Sequence, residues 1–370
     1  MIKIIDDKLG TREFTSVVLI AIGMKVTDST PSLLYEKGAN AAWIIPFFYL
    51  ITIGIPFLVL LSLLKKHEKG LVDLLFHLTG KVGGTLICFI LSLLIFFSAT
   101  TSSRSYIAIA NTLFYPKTPV IILTFALLIT SFLVAKRGLT AIGSVSWFII
   151  PTLEFLLLIL LVSVWKDAHL LSIFPIAGPG LSTLIKESLN HSSIIGEIII
   201  LAAFFPFVRS YKNYQVASLL GLGITLFKMS LFLAIYVMVF DYPSTVNMAY
   251  PHQELTRIAE FGAGFTHVEG GFFIFWIIAS IFRLAIYLYL TAFLLGGALR
   301  MDKFEKLLLP LVGLVALSGL LPENEFIMGS YRDLLNKIGS WTFISLPFLL
   351  WFLSKLKGGK KNNETDKSAC

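Results

Sequence analysis

Charge is scarce in this chain. Of its 370 residues 14% are Asp, Glu, Lys or Arg, while 56% are hydrophobic and the mean hydropathy is +0.84. A soluble domain carries about 25% charged residues, so a water-soluble globule is excluded. Cysteine is rarer still. Cys88 lies in an apolar stretch and Cys370 at the far end of the sequence, which rules out a disulfide framework or a metal cluster built on them. The signatures of enzymes are missing too: no His-Glu-x-x-His, no Gly-x-Gly-Asp, no Gly-x-Ser-x-Gly and no phosphate-binding loop. We expect no catalysis, no metal and no cofactor. The opening Met1-Ile2-Lys3-Ile4-Ile5-Asp6-Asp7-Lys8 is too polar for a cleaved signal peptide, so the first apolar span is expected to direct insertion.

What the chain has in abundance is long apolar runs. Crossing about 30 Å of hydrocarbon takes about 20 apolar residues in a helix. Ten such windows can be placed, near 14–35, 41–64, 83–113, 119–135, 141–165, 191–209, 215–240, 268–298, 306–321 and 338–355. The expectation is an all-α integral membrane protein, one domain over 1–370, with a polar and disordered tail at 357–370. Basic residues are distributed unevenly about these windows. If the N-terminus is inside, 19 of the 30 Lys and Arg residues fall in inner segments and 7 in outer ones, which predicts that both termini are cytoplasmic. The net charge of +8 then faces anionic lipid and implies no nucleic-acid partner.

Ten spans divide into sets of five, 11–166 and 190–356, and an odd number per set turns the second upside down. That permits an inverted repeat of the kind secondary transporters use, with interrupted helices 1 and 6. The first span is broken by Met24-Lys25-Val26-Thr27-Asp28-Ser29-Thr30-Pro31, and the sixth by Gly196-Glu197 and then Phe205-Pro206. Two outer connectors, one containing Phe174 to Gly180 and one near 241–266, have the composition of lids.

Eight ionisable residues interrupt the apolar windows: Lys25, Asp28, Arg104, Glu154, Glu197, Lys228, Glu269 and Arg283. Each costs about 2.5 to 3.5 kcal/mol at a bilayer centre if it faces lipid unpaired, so they are expected to face inward around a polar cavity. Glu197, which follows Ile195-Gly196 in an otherwise apolar run, is the first candidate for a ligand site. Lys25 and Asp28 share a helical face and either neutralise one another or, with Val26, Thr27 and Ser29, coordinate a ligand. Arg104 can clamp a carboxylate or lock Glu154 or Glu197. Arg283 and Tyr287, four apart, line the pocket or pair with Glu154. Glu154, Glu197 and Lys25 are the candidates for proton or ion coupling, and Phe204 for a platform under an apolar ligand group. Lys228 reads as structural or snorkelling, His191 as interfacial, and His267 with Glu269 as the outer end of a span.

The chain resembles the B subunit of bacterial spore germinant receptors, the germination permease family of the amino acid, polyamine and organocation superfamily. The features that carry the resemblance span about 11–356: Ser29 to Leu34 closing the first span; Tyr115-Pro116-Lys117-Thr118-Pro119; Ala135-Lys136-Arg137-Gly138-Leu139; Phe174-Pro175 with Gly178 and Gly180; Gly196-Glu197 leading to Phe205-Pro206-Phe207; and Leu321-Pro322-Glu323-Asn324. The resemblance implies a leucine-transporter-like fold, a small germinant such as an amino acid, receptor A and C subunits as partners, and the spore inner membrane as location. The alternative in the same superfamily is a proton-coupled transporter of amino acids or other small solutes. Related transporters put glycine-rich backbone at the first break, whereas this chain has Met24-Lys25-Val26. Lys25 is thus expected to supply a cation to the ligand or to stand in for a coupling cation.

Overall fold

The structure, a computed structural model, describes residues 8–259, 268–322 and 325–367. All of its regular secondary structure is helical among those residues, apart from one isolated bridge between Leu9 and Val208. Chain hydropathy explains this, because a helix satisfies its own backbone where no water can.

The first helix, α1 (Thr11–Gly23), unwinds into a 3-10 turn at Met24–Val26, and α2 (Thr30–Gly38) resumes after Ser29. Asp28 starts the second half by accepting from the Thr30 amide at 2.8 Å, with Pro31 at the first turn. A 3-10 stretch then leads to α3 (Ile45–Thr52) and α4 (Gly54–His67). Next, α5 (Leu71–Leu113) is two helices joined at Gly80, whose φ of 77° only glycine adopts freely. The sequence continues through α6 (Val120–Ala135), α7 (Gly138–Val164), α8 (Leu181–Asn190) and α9 (Ser193–Ile200). A 3-10 segment Leu201–Phe207 carries Pro206 and precedes α10 (Tyr211–Phe240). Two short helices, α11 (Tyr242–Asn247) and α12 (Pro251–Ile258), lead to α13 (Val268–Leu299), α14 (Leu308–Leu320) and α15 (Glu325–Lys367). The last of these runs on into the segment 357–370 that composition marks as a tail.

Among the described residues, six helical segments are long and apolar enough to cross a membrane, and α8 with Ser193–Phe207, bent by 41°, would make a seventh. The chain is an integral membrane protein on this count. The other windows read from the sequence are shorter helices: α1, α6 and α14 have 13, 16 and 13 residues. At 1.5 Å per residue none of these alone spans about 30 Å.

At the centre α13 packs on α5, α6, α7 and α1, and α1 is sandwiched against α10 and α7. The start of α1 is clasped to the end of the second irregular segment: the Leu9 amide donates to Phe207 O at 2.8 Å and the Arg209 amide to Leu9 O at 3.0 Å.

The expected break at Gly196-Glu197 is not there. Both residues are inside α9, and the regular helix gives way five residues after Gly196, at Leu201. Glycine serves packing at that position, since a Cβ on Gly196 would lie 2.5 Å from Phe343 Cδ2 on α15.

Candidate functional site

Two ion pairs cross between the break and its neighbours. Lys25 Nζ lies 2.8 Å from Glu197 Oε2 on α9, and Arg283 Nη1 on α13 lies 3.3 Å from Asp28 Oδ2. All four residues are under 9% exposed. Tyr287, one turn beyond Arg283, joins the pairs: its hydroxyl accepts from Arg283 Nη2 at 3.1 Å and meets the Glu197 carboxylate and the Ala21 carbonyl. Tyr106 from α5 accepts from Arg283 Nη1 at 2.6 Å. Burial of four charges is tolerated because each finds a partner of opposite sign and further hydrogen bonds.

The backbone freed by the break is also satisfied. Gln253 Nε2 of α12 donates to Thr27 O at 2.8 Å and Tyr236 of α10 to Val26 O at 3.2 Å. Trp276 Nε1 of α13 donates to Thr27 Oγ1 at 3.1 Å. On the other side of Tyr236, His252 Nδ1 lies 3.0 Å from its hydroxyl. Burial pushes the His252 pKa down to about 4, so this imidazole is neutral at pH 7. Thus α12 sits over the break and closes it.

A cavity of about 40 Å³ lies beside the crossed pairs, lined by Lys25, Asp28, Glu197 and Arg283, by hydroxyls of α5 and by Arg332 and Asn336 of α15. That is room for a few waters and not for a solute the size of an amino acid. On the other face of the break a second cavity of about 60 Å³ is lined by Gly23, Val26, Thr27, Glu154, Lys228, His252 and Trp276.

Of the residues singled out in the sequence, the structure brings together Lys25, Asp28, Glu197, Arg283 and Tyr287. Thr27 and Ser29 are beside them, Thr27 through the contacts above and Ser29 through Ser105 Oγ at 3.2 Å. Several expectations are corrected. Lys25 and Asp28 do not neutralise one another, because the 3-10 turn rotates them toward different partners. Arg283 does not pair with Glu154, whose carboxylate is 2.5 Å from Lys228 Nζ. Arg104 is off the cavity; from the same helix Ser98, Thr101 and Ser102 reach it. Val26 lines the second cavity instead of the first. Ile195 is fully buried core, Gly196 is occupied by its contact with Phe343, and neither lines a cavity. Phe204 stacks in an aromatic cluster, 6.0 Å from Phe207 and Tyr289 by ring centroids, and lines no ligand space. His191 is buried at 5% exposure, its Nδ1 3.2 Å from the Glu187 carboxylate. Glu269 lies 3.7 Å from Arg257, and His267 falls outside the described residues.

The sequence reading missed Tyr106, Tyr236, Gln253, Trp276, Arg332 and Asn336. Tyr106 had a signal, in the polar run Thr100 to Tyr106. Arg332 and Asn336 were read as loop because the apolar window starts near 338, whereas the helix starts at Glu325.

Helices that bury a charge-paired polar cavity between an interrupted segment and its neighbours define an integral membrane protein of the permease kind. The chain belongs to the spore permease family of spore germination proteins, which it matches over residues 10–326. YfkT of Bacillus subtilis (strain 168) is 26% identical over 251 residues, covering 67% of this chain and 68% of YfkT. Spore germination protein KB of the same strain is 22% identical over 245 residues, 64% of each chain. The chain thus spans about two thirds of the length of these relatives. No group of His, Cys, Asp and Glu suited to a metal occurs among the described residues.

Proposed function

We propose that this protein is the ligand-sensing membrane subunit of a spore germinant receptor, binding a small polar molecule such as an amino acid midway across the membrane. The observation that carries this reading is the crossed pair of buried ion pairs, Lys25–Glu197 and Asp28–Arg283, closing a polar cavity at the break after α1. The two ion pairs neutralise their own charges and the cavity beside them is too small for a solute, so a ligand enters only by exchanging its own charges for one of the contacts that line it. That exchange gives a ligand different affinities for the closed and opened arrangements, and differential affinity is what converts binding into a conformational signal.

The rest of the proposal is architectural. The chain has ten spans in a leucine-transporter-like 5+5 repeat, with α1 plus α2 and α9 plus Leu201–Phe207 as the interrupted elements. Both termini are cytoplasmic, the location is the spore inner membrane, A and C receptor subunits are the partners, and no reaction is catalysed.

A proton-coupled transporter is the second reading, and the Glu154–Lys228 pair beside the second cavity favours it, since ionisable groups inside membrane spans mark substrate and ion pathways. The transporter reading needs an inner exit past Phe204, Phe207, Tyr289, Phe293 and Phe304, whose rings pack within 6.4 Å of one another in a chain of contacts. The receptor reading needs none.

The test uses the double variant Lys25→Gln, Glu197→Gln, which removes both charges of one pair together. Spores carrying it should hold normal amounts of the protein, retain A and C subunits in co-purification, and lose the nutrient response. A normal response would place the ligand elsewhere.

A further inference from the structure

The cavity beside the break has an unbalanced lining. Three cations face it, Lys25, Arg283 and Arg332, against two anions, Asp28 and Glu197. Lys25 and Arg283 are each committed to one of the two carboxylates. Arg332 is not: among the described residues its guanidinium meets the Ser29 hydroxyl, which also contacts Ser105. The neighbouring acid in sequence does not neutralise it, since Asp333 is held by Lys337 at 2.7 Å, lies 3.7 Å from His191, and does not line the cavity.

The face of α15 that carries Arg332 continues one turn on with Asn336 and then Gly339 and Phe343. Asn336 accepts from Ser193 Oγ at 3.0 Å through its Oδ1, which leaves its NH2 as the donor end. The result is a planar guanidinium fork and an amide NH2 one turn apart, both donors, at a cavity whose described lining residues carry three cations against two anions. A carboxylate matches that arrangement in geometry and in sign. An uncharged sugar or nucleoside would offer the Arg332 guanidinium no partner of opposite sign.

We propose that Arg332 reads the carboxylate of the ligand, with Asn336 as the second donor. The proposal rests on the cavity being the ligand site and names the group a ligand must carry. Ser29 is the stand-in that the carboxylate displaces.

The experiment measures thermal shift of the full-length protein in lipid nanodiscs. The probes are the common L-amino acids, the matching amino-acid amides, simple monocarboxylates, sugars and nucleosides. The amides keep the ammonium and side chain and lack only the carboxylate. Expected is a shift with at least one carboxylate and none with its amide. In Arg332→Gln the apparent affinity for that carboxylate should fall by about 10- to 100-fold, as for loss of a charge-assisted hydrogen bond, and Arg332→Lys should recover part of it. A panel in which amides or uncharged solutes act as well as the acids, or in which no carboxylate acts, overturns the proposal. The double variant Lys25→Gln, Glu197→Gln separates the two levels. If it abolishes binding while acids and amides bind the wild type alike, the carboxylate assignment falls and the site stands. If it leaves binding unchanged, the site itself is wrong.

Discussion

At the scale of single residues the pairing pattern decides everything. Lys25 and Asp28 are three apart, and on a continuous helix they would face one another; the 3-10 turn at Met24–Val26 sends one to Glu197 and the other to Arg283. Removing one member of a buried pair leaves the other as an uncompensated charge, at about 3 to 5 kcal/mol. Removing both leaves only polar groups that small waters in the adjoining cavity can satisfy. Glu197→Gln alone should therefore lower the thermal unfolding midpoint in detergent by more than the double variant with Lys25→Gln does. If the single and double variants melt together, the two side chains are not coupled. That these charges face inward was legible in the sequence, because hydrocarbon excludes the alternative. Which cation meets which carboxylate was not, as any of four acids was within reach of any of four bases.

At the scale of elements, α9 and α15 approach closely only because position 196 has no side chain. A methyl group placed on Gly196 lies 2.5 Å from Phe343 Cδ2 and 3.0 Å from its Cβ. Gly196→Ala should destabilise by about 1 to 3 kcal/mol, as overpacking of a filled core does. Combining it with Phe343→Leu should recover most of the loss, read as the midpoint of thermal unfolding. The short helix α12 has a different vulnerability. His252 is held neutral by burial, with its pKa pushed from 6.5 down to about 4, so the unfolded chain binds a proton in the interval that the folded one does not. Stability should fall as pH drops from about 6.5 toward 4, by at most about 3 kcal/mol at the lower end. His252→Gln should flatten that part of the pH profile of unfolding. A profile unchanged by the substitution would mean that α12 opens at no measurable cost. The sequence indicated a helical outer connector, but not that Gln253 and His252 are its anchors, since their partners Thr27 and Tyr236 lie 226 and 16 residues away.

At the scale of the whole molecule, the proposed orientation has a direct test. Cys88 is buried, which leaves Cys370 as the thiol to label. In right-side-out vesicles a membrane-impermeant maleimide should label Cys370 only after the membrane is opened, and labelling of intact vesicles would reverse the assignment of both termini. The proposed partners are tested in the same preparation by co-purification of A and C subunits. Membrane class, helical content and the existence of a broken first helix came from the sequence alone, because hydropathy, proline and competing hydroxyl groups act locally and leave a local record. The Phe205-Pro206 part of the second irregular segment was legible too, whereas its start at Leu201 instead of Gly196 and the closure of the cavity were decided by tertiary structure. Gly196 sits in regular helix packed against Phe343, and the cavity is closed by charges that are distant in the chain. Local signals have no access to either, since both depend on which helix faces which.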